Sequence, residues 1–228
     1  MPRHSTKLQS VIIRLERHYG KPSHPPSTDP FELILWEQVG YLVDDERRAE
    51  AFNLLRARVG LTPGDILAAS EKTLLEITKV GGAIAAPARA KRLREASRLV
   101  LTEFNGDLRK VLQEPFTKAR KALSRFPSIG EPGAEKILLF THSHPVMALE
   151  SNGLRALVRL GYAAEQRNYD ATYRKVRDAI QKELKQDYSW LIRAHQLLRR
   201  HGQNLCKRSR PLCRNCPLTD LCDYFLSL

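Results

Sequence analysis

Apolar residues recur at helical spacing along most of the chain, and no convincing run alternates like a strand, so the pattern predicts an all-α protein. An amphipathic helix from about Leu8 to Tyr19 ends at Gly20 and gives way to KPSHPPSTDP, whose adjacent prolines, Ser, Thr and Asp mark a boundary. Asp29 is placed to cap the next helix, with Pro30 at its first position. That helix, PFELILWEQVGYLV, is apolar on most faces and is expected to be buried. Asp44, Asp45 and Glu46 open an Arg-rich helix running towards Val59, and Thr62-Pro63-Gly64-Asp65 marks another turn and helix start. Gly81-Gly82 breaks the chain before AIAAPARAKRLREASRLVLTEF, which Asn105-Gly106 ends. The basic face of this helix is expected to be solvated, with contact to phosphate as the alternative. Further helices follow on short connections, without a fixed-period repeat or a low-complexity tract.

Charge narrows the class of partner. The 228 residues carry 38 Lys and Arg against 25 Asp and Glu, a formal charge of +13. An excess of that size favours a polyanion, because neutralising phosphates releases condensed counterions. No stretch approaches the ~18 apolar residues of a membrane span, and the first residues lack the apolar core of a signal peptide. A soluble, cytoplasmic protein is expected, nucleoid-associated in a prokaryote, with its thiols kept reduced.

That expectation bears on the cysteines. All four lie between Cys206 and Cys222, as C-x6-C-x2-C-x5-C. Soft thiolates gathered in one segment select zinc or an iron–sulfur cluster. Zinc sites usually use two short pairs, and here only Cys213 and Cys216 form one. Spacing alone leaves both metals open.

The segment HGQNLCKRSRPLCRNCPLTDLCDYF resembles the C-terminal iron–sulfur loop of endonuclease III and of its adenine-excising and plant demethylating relatives. The resemblance implies one [4Fe–4S] cluster held by Cys206, Cys213, Cys216 and Cys222. Lys207, Arg208, Arg210 and Arg214 suit phosphate contact, or offset the negative charge of such a cluster. Upstream, FPSIGEPGAEKILLF resembles the family's helix–hairpin–helix. A tight turn feeding a helix exposes backbone N–H groups where the helix dipole favours phosphate. Ser128, Ile129 and Gly130 would be the donors, with Phe126-Pro127 fixing the entry.

PFELILWEQ resembles the start of the family's helical barrel, so the likeness runs from about Pro30 to Tyr224. It implies a two-lobed, all-α glycosylase fold. A six-helix barrel would span 28–145 with its hairpin at about 123–140. Residues 1–27 and 146–228 would form the lobe bearing the cluster loop 206–222, with DNA across the cleft.

Three positions depart from the family pattern. Where bifunctional members carry a Schiff-base lysine just past the hairpin, this chain has Pro132, which cannot attack a sugar. Lys136, a turn deeper on the same face, is the substitute available. The family's catalytic aspartate is matched by Glu150, which keeps the carboxylate with one more methylene; the alternative is an ordinary acid at a helix start. Where relatives carry a gap-filling glutamine, this chain reads VGYLVDD. Tyr41 could stack on or wedge beside a base there, or lie in the core.

The resemblance therefore implies a monofunctional DNA N-glycosylase of base-excision repair, a monomer acting on duplex DNA with a damaged, mismatched or abasic site. The alternatives are a non-catalytic binder of damaged or unusual DNA, and an abasic-site lyase using Lys136.

Overall fold

The structure is a computed structural model that describes residues 6–228; the first five residues of the segment 1–27 lie outside the described residues. Among the described residues it is helical throughout, without a strand. In chain order come α1 (Lys7–Tyr19), α2 (Pro30–Val39), α3 (Asp45–Arg58), α4 (Pro63–Ala68), α5 (Glu71–Val80) and α6 (Ala86–Phe104). They are followed by α7 (Arg109–Leu112), α8 (Phe116–Leu123), α9 (Glu131–Phe140), α10 (Ser151–Arg159), α11 (Tyr169–Ile180), α12 (Tyr188–Asn204) and α13 (Asp223–Leu226). No helix among the described residues is long and apolar enough to cross a membrane. The chain divides into two compact units, Pro25–His144 and a second made of Met1–His24 with Pro145–Leu228.

In the Pro25–His144 unit, Asp29 caps α2 by accepting from the Phe31 and Glu32 amides, and Pro30 occupies the first turn. Phe31, Leu33, Ile34, Leu35 and Val39 are all buried, and α2 packs against α3, α6 and α9. Burial on most faces is what its composition required. Its end is not. The apolar run continues to Val43, but the helix stops at Val39, Gly40 is extended and Leu42 turns left-handed at φ 53°.

The cause lies some forty residues downstream. The Tyr41 amide donates to the Gly81 carbonyl at 3.1 Å, and a Cβ on Gly81 would sit 1.8 Å from the Val39 carbonyl oxygen. Gly81 thus permits two backbone segments to touch. Gly81→Ala is expected to cost about 1–3 kcal/mol by forcing them apart, read as a lowered thermal midpoint. Gly64→Ala, where the nearest atom lies 3.8 Å away, serves as the quiet comparison.

At the same junction one arginine departs from the solvated basic face expected of α6, on which Lys91 and Arg98 are exposed. Arg89 is only 2% exposed. Its Nε donates to Ile84 O (3.2 Å), Nη1 to Val39 O (2.5 Å) and Gly81 O (3.3 Å), and Nη2 to Thr78 O (2.7 Å) and Gly82 O. A planar fork of donors collects carbonyls that the ends of α2 and α5 leave without helical partners. The helix also starts late, at Ala86, after a left-handed Ala85 (φ 51°).

In the other unit, α12 is the central element. Trp190, Leu191, Ala194, Leu197 and Leu198 are buried along it, and both α1 and α10 pack against it. Near its end Gly202 presses on the start of α10: a Cβ there would be 2.3 Å from the Asn152 carbonyl oxygen. Beyond α12 the cysteine segment makes two short 3-10 turns, Cys213–Asn215 and Thr219–Leu221, before α13. Arg14 of α1 grips this segment through Asp220 at 2.5 Å.

Candidate functional site

The hairpin is formed by α8, the turn 124–130 and α9. Gln38, buried in α2, donates from Nε2 to the Pro127 carbonyl at 3.1 Å and holds the entry to the turn. Ser128 adopts φ 64°. Ile129 is 3% exposed and its N–H already donates to the Phe126 carbonyl at 3.0 Å, so this amide is spent inside the turn. Ser128 and Gly130 are exposed, and their amides have no backbone acceptor among the described residues. Gly130 caps α9 without a side chain, leaving that helix end open.

Pro132 lies in the first turn of α9, where its missing N–H costs nothing. Lys136 is mostly buried, with Nζ 2.6 Å from Glu37 Oε1, and Arg48 approaches the same oxygen at 3.7 Å. Beside it the buried Glu135 pairs with Arg120 at 3.1 Å.

In the same unit Tyr41 is 50% exposed rather than in the core, together with Leu42 (74%) and Ile84 (56%). These three apolar side chains sit on the two segments joined by the bond from Tyr41 to Gly81. The sequence reading singles out Tyr41 alone. Leu42 and Ile84 look there like the apolar ends of helices, and only the early stop of α2 and the late start of α6 place them outside.

Glu150 and the cysteines belong to the other unit. Glu150 is the N-cap of α10: Oε1 accepts from the Asn152 amide (2.8 Å) and the Gly153 amide (2.9 Å), and Oε2 from Asn152 Nδ2 (2.9 Å). Three of the roughly four lone-pair positions of a carboxylate are taken, leaving one on Oε2. The chain of bonds continues inward. Arg155 donates to Asn152 Oδ1 at 2.7 Å, to the Gly202 carbonyl at 2.7 Å and to the Cys206 carbonyl at 2.8 Å. The carboxylate is thereby connected to the first residue of the cysteine segment.

Cys206, Cys213, Cys216 and Cys222 line one small, partly open cavity, with Leu160, His201, Leu205 and Leu218 among its walls. Among the described residues no three His, Cys, Asp or Glu side chains form a group that would hold a metal ion. A zinc ion needs its donors converged on one point at ~2.3 Å. A [4Fe–4S] core gives each thiolate its own iron, and four sulfurs spread around a shared void suit that group. Arg159 Nη1 lies 3.4 Å from the Cys206 sulfur and also donates to the carbonyls of Lys207 (2.7 Å) and Arg208 (3.1 Å). The side chains of Lys207, Arg208, Arg210 and Arg214 are exposed on the same segment.

Burial dominates the electrostatics of the cavity. It pushes the Cys216 thiol up to about 11, helped by the other three cysteines, and lowers His201 to about 4. Tyr19 is pushed up to about 12, by burial first and then by the Cys216 charge. The free Cys216 thiol therefore stays protonated at neutral pH, and binding a metal centre there must release that proton.

No protein-family model matches the chain. In sequence it is 25% identical over 217 residues to endonuclease III of Thermotoga maritima, covering 94% of this chain and 93% of that protein. It is 27% identical over 169 residues to endonuclease III of Rickettsia conorii, covering 73% and 71%. In fold it is similar to endonuclease III trapped as a covalent intermediate with DNA in an estranged-adenine complex. The TM-score there is 0.74 at 20% identity, over 97% of this chain and 98% of that one. The chain is thus similar to endonuclease III over nearly its whole length, and it has the helix–hairpin–helix DNA glycosylase fold.

Proposed function

We propose that the protein is a monofunctional DNA N-glycosylase of base-excision repair. The observation that carries this reading is Glu150, a carboxylate fixed by three N–H donors with one acceptor position left. The amides of the exposed residues Ser128 and Gly130 at the start of α9 would take a backbone phosphate, with Pro127 setting the turn. Lys207, Arg208 and Arg210 would add sequence-independent grip. Tyr41, helped by Leu42 and Ile84, offers the exposed apolar surface needed to fill the gap when a base is flipped out. In the hydrolytic step the C1′–N bond breaks with its electron pair leaving on the base. Water oxygen bonds C1′, and the proton it loses passes to Glu150 Oε2. The negative charge of Glu150 also favours the developing sugar cation.

A [4Fe–4S] cluster held by Cys206, Cys213, Cys216 and Cys222 belongs to the same reading, supported by the common cavity those residues line. When bound, the cluster supplies a rigid cross-link and a redox centre. Cys213→Ser is expected to lose most of the iron and the brown colour of the protein, measured by metal analysis and absorbance.

Lys136 does not support the lyase alternative. A Schiff-base nucleophile attacks as the neutral amine, whereas a carboxylate at 2.6 Å is a partner for the ammonium.

The test is a panel of duplexes bearing uracil, oxidised, alkylated and deaminated bases, assayed with and without alkali. Base release with strand cleavage only after alkali is expected. Binding of abasic or mismatched duplex without release from any lesion would overturn the assignment in favour of a non-catalytic binder. Borohydride trapping that disappears in Lys136→Ala would overturn it in favour of a lyase.

A further inference from the structure

His201 is buried in α12, and both of its ring nitrogens have partners. Nε2 lies 3.7 Å from the Cys216 sulfur, and Nδ1 lies 3.2 Å from the hydroxyl of Tyr19 at the end of α1. Tyr19 is itself held. Arg200 stacks over its ring at 5.1 Å and donates to its carbonyl at 3.0 Å. Three groups from three segments thus form a line that ends on one cysteine.

Donor and acceptor rules leave one arrangement once that cysteine ligates iron. A metal-bound thiolate has no proton to give, so it accepts. The neutral ring carries a single N–H, which must then be on Nε2. Nδ1 is left bare, and among the described residues the group that donates to it is the Tyr19 hydroxyl. Each polar atom in the line is satisfied, and the reverse arrangement would set a bare Nε2 against a thiolate. The same logic fixes the tautomer of histidines next to metal sites generally.

We infer that His201, with its tautomer set by Tyr19, is a positioning residue for the cluster whose Nε2–H donates to the Cys216 sulfur and raises the cluster's reduction potential. This rests on the cofactor reading given under Proposed function. The sign follows from charge. Adding an electron makes the ligand sulfurs more negative, so an N–H aimed at one of them favours the reduced form. Arg159 at Cys206 acts on another ligand and is left intact by the test below.

The test is direct electrochemistry of the anaerobically prepared holoprotein and three variants, after iron and sulfide have been counted. His201→Leu is expected to disfavour reduction about tenfold, which for a one-electron couple is a fall of about 59 mV. His201→Gln, which keeps a terminal N–H near the Nε2 position, is expected to stay closer to the parent. Tyr19→Phe is expected to shift the same way as His201→Leu but by less, with the iron content unchanged. A purely structural role would change iron content or melting and leave the potential alone. Potentials of His201→Leu and Tyr19→Phe equal to the parent's would overturn the inference. Should His201→Leu fail to hold iron, an unshifted Tyr19→Phe overturns it alone. A parent protein free of iron and sulfide would instead bring down the cofactor reading, and the relay with it.

Discussion

Replacing Arg89 by methionine is expected to lower the stability of the Pro25–His144 unit by at least about 3 kcal/mol, because a buried polar group left without its partner costs about 1–3 kcal/mol. Five carbonyls accept from this one guanidinium, at the junction of α2, α5 and α6. Methionine fills much of the volume but donates nothing, and two carbonyls stranded away from water already account for the loss. The thermal midpoint of this unit should fall by about 10 °C. Arg89→Lys should recover only part of the difference, since an ammonium offers its donors from a single point whereas the carbonyls are spread around a planar fork. A methionine variant melting with the parent would show that water satisfies these carbonyls. The tyrosine-bearing loop hangs on the same side chain through Val39 and Gly81. Weakened capture of lesion duplex at temperatures well below the melt is therefore expected as well.

Glu150→Gln should reduce base release by at least about a hundredfold, the lower part of the range for loss of a general base, while binding to an uncleavable duplex stays within a factor of about two. The amide oxygen of glutamine still accepts from the Asn152 and Gly153 amides, so α10 keeps its cap. The amide nitrogen neither takes a proton from water nor favours a sugar cation. Glu150→Ala separates the two roles: it loses the cap as well, for a further destabilisation of about 0.5–2 kcal/mol. Unchanged release by the glutamine variant would remove Glu150 from the mechanism and leave it the helix cap that the geometry already makes it.

Features set by neighbours in the chain were legible in the sequence. Asp29 before Pro30 and Thr62 before Pro63 cap their helices as the residue types require. Glu150 could be read both as a helix-start acid and as a candidate base, and the structure makes it the cap of α10. The cysteines were legible for a different reason, since four thiols in one short segment have few uses. What escaped depended on contacts between distant segments. Nothing local in PFELILWEQVGYLV says that the helix stops at Val39, because the cause is the bare backbone of Gly81. Nothing in a run of arginines and lysines says that Arg89 turns inward while its neighbours do not. Ile129 illustrates the limit at the level of single atoms: the hairpin could be recognised, yet its amide is committed to Phe126 by the folded turn alone.

Gln38 gives the hairpin a property that no recognition motif would reveal. It is rooted in the helix with the deepest burial, yet its amide ends on the carbonyl of Pro127. The corner of the hairpin is therefore moored to the interior of its unit. If the corner takes a phosphate as proposed, its donors are set before any nucleic acid arrives, and the disorder a slack corner would forfeit on capture has been given up once, at folding.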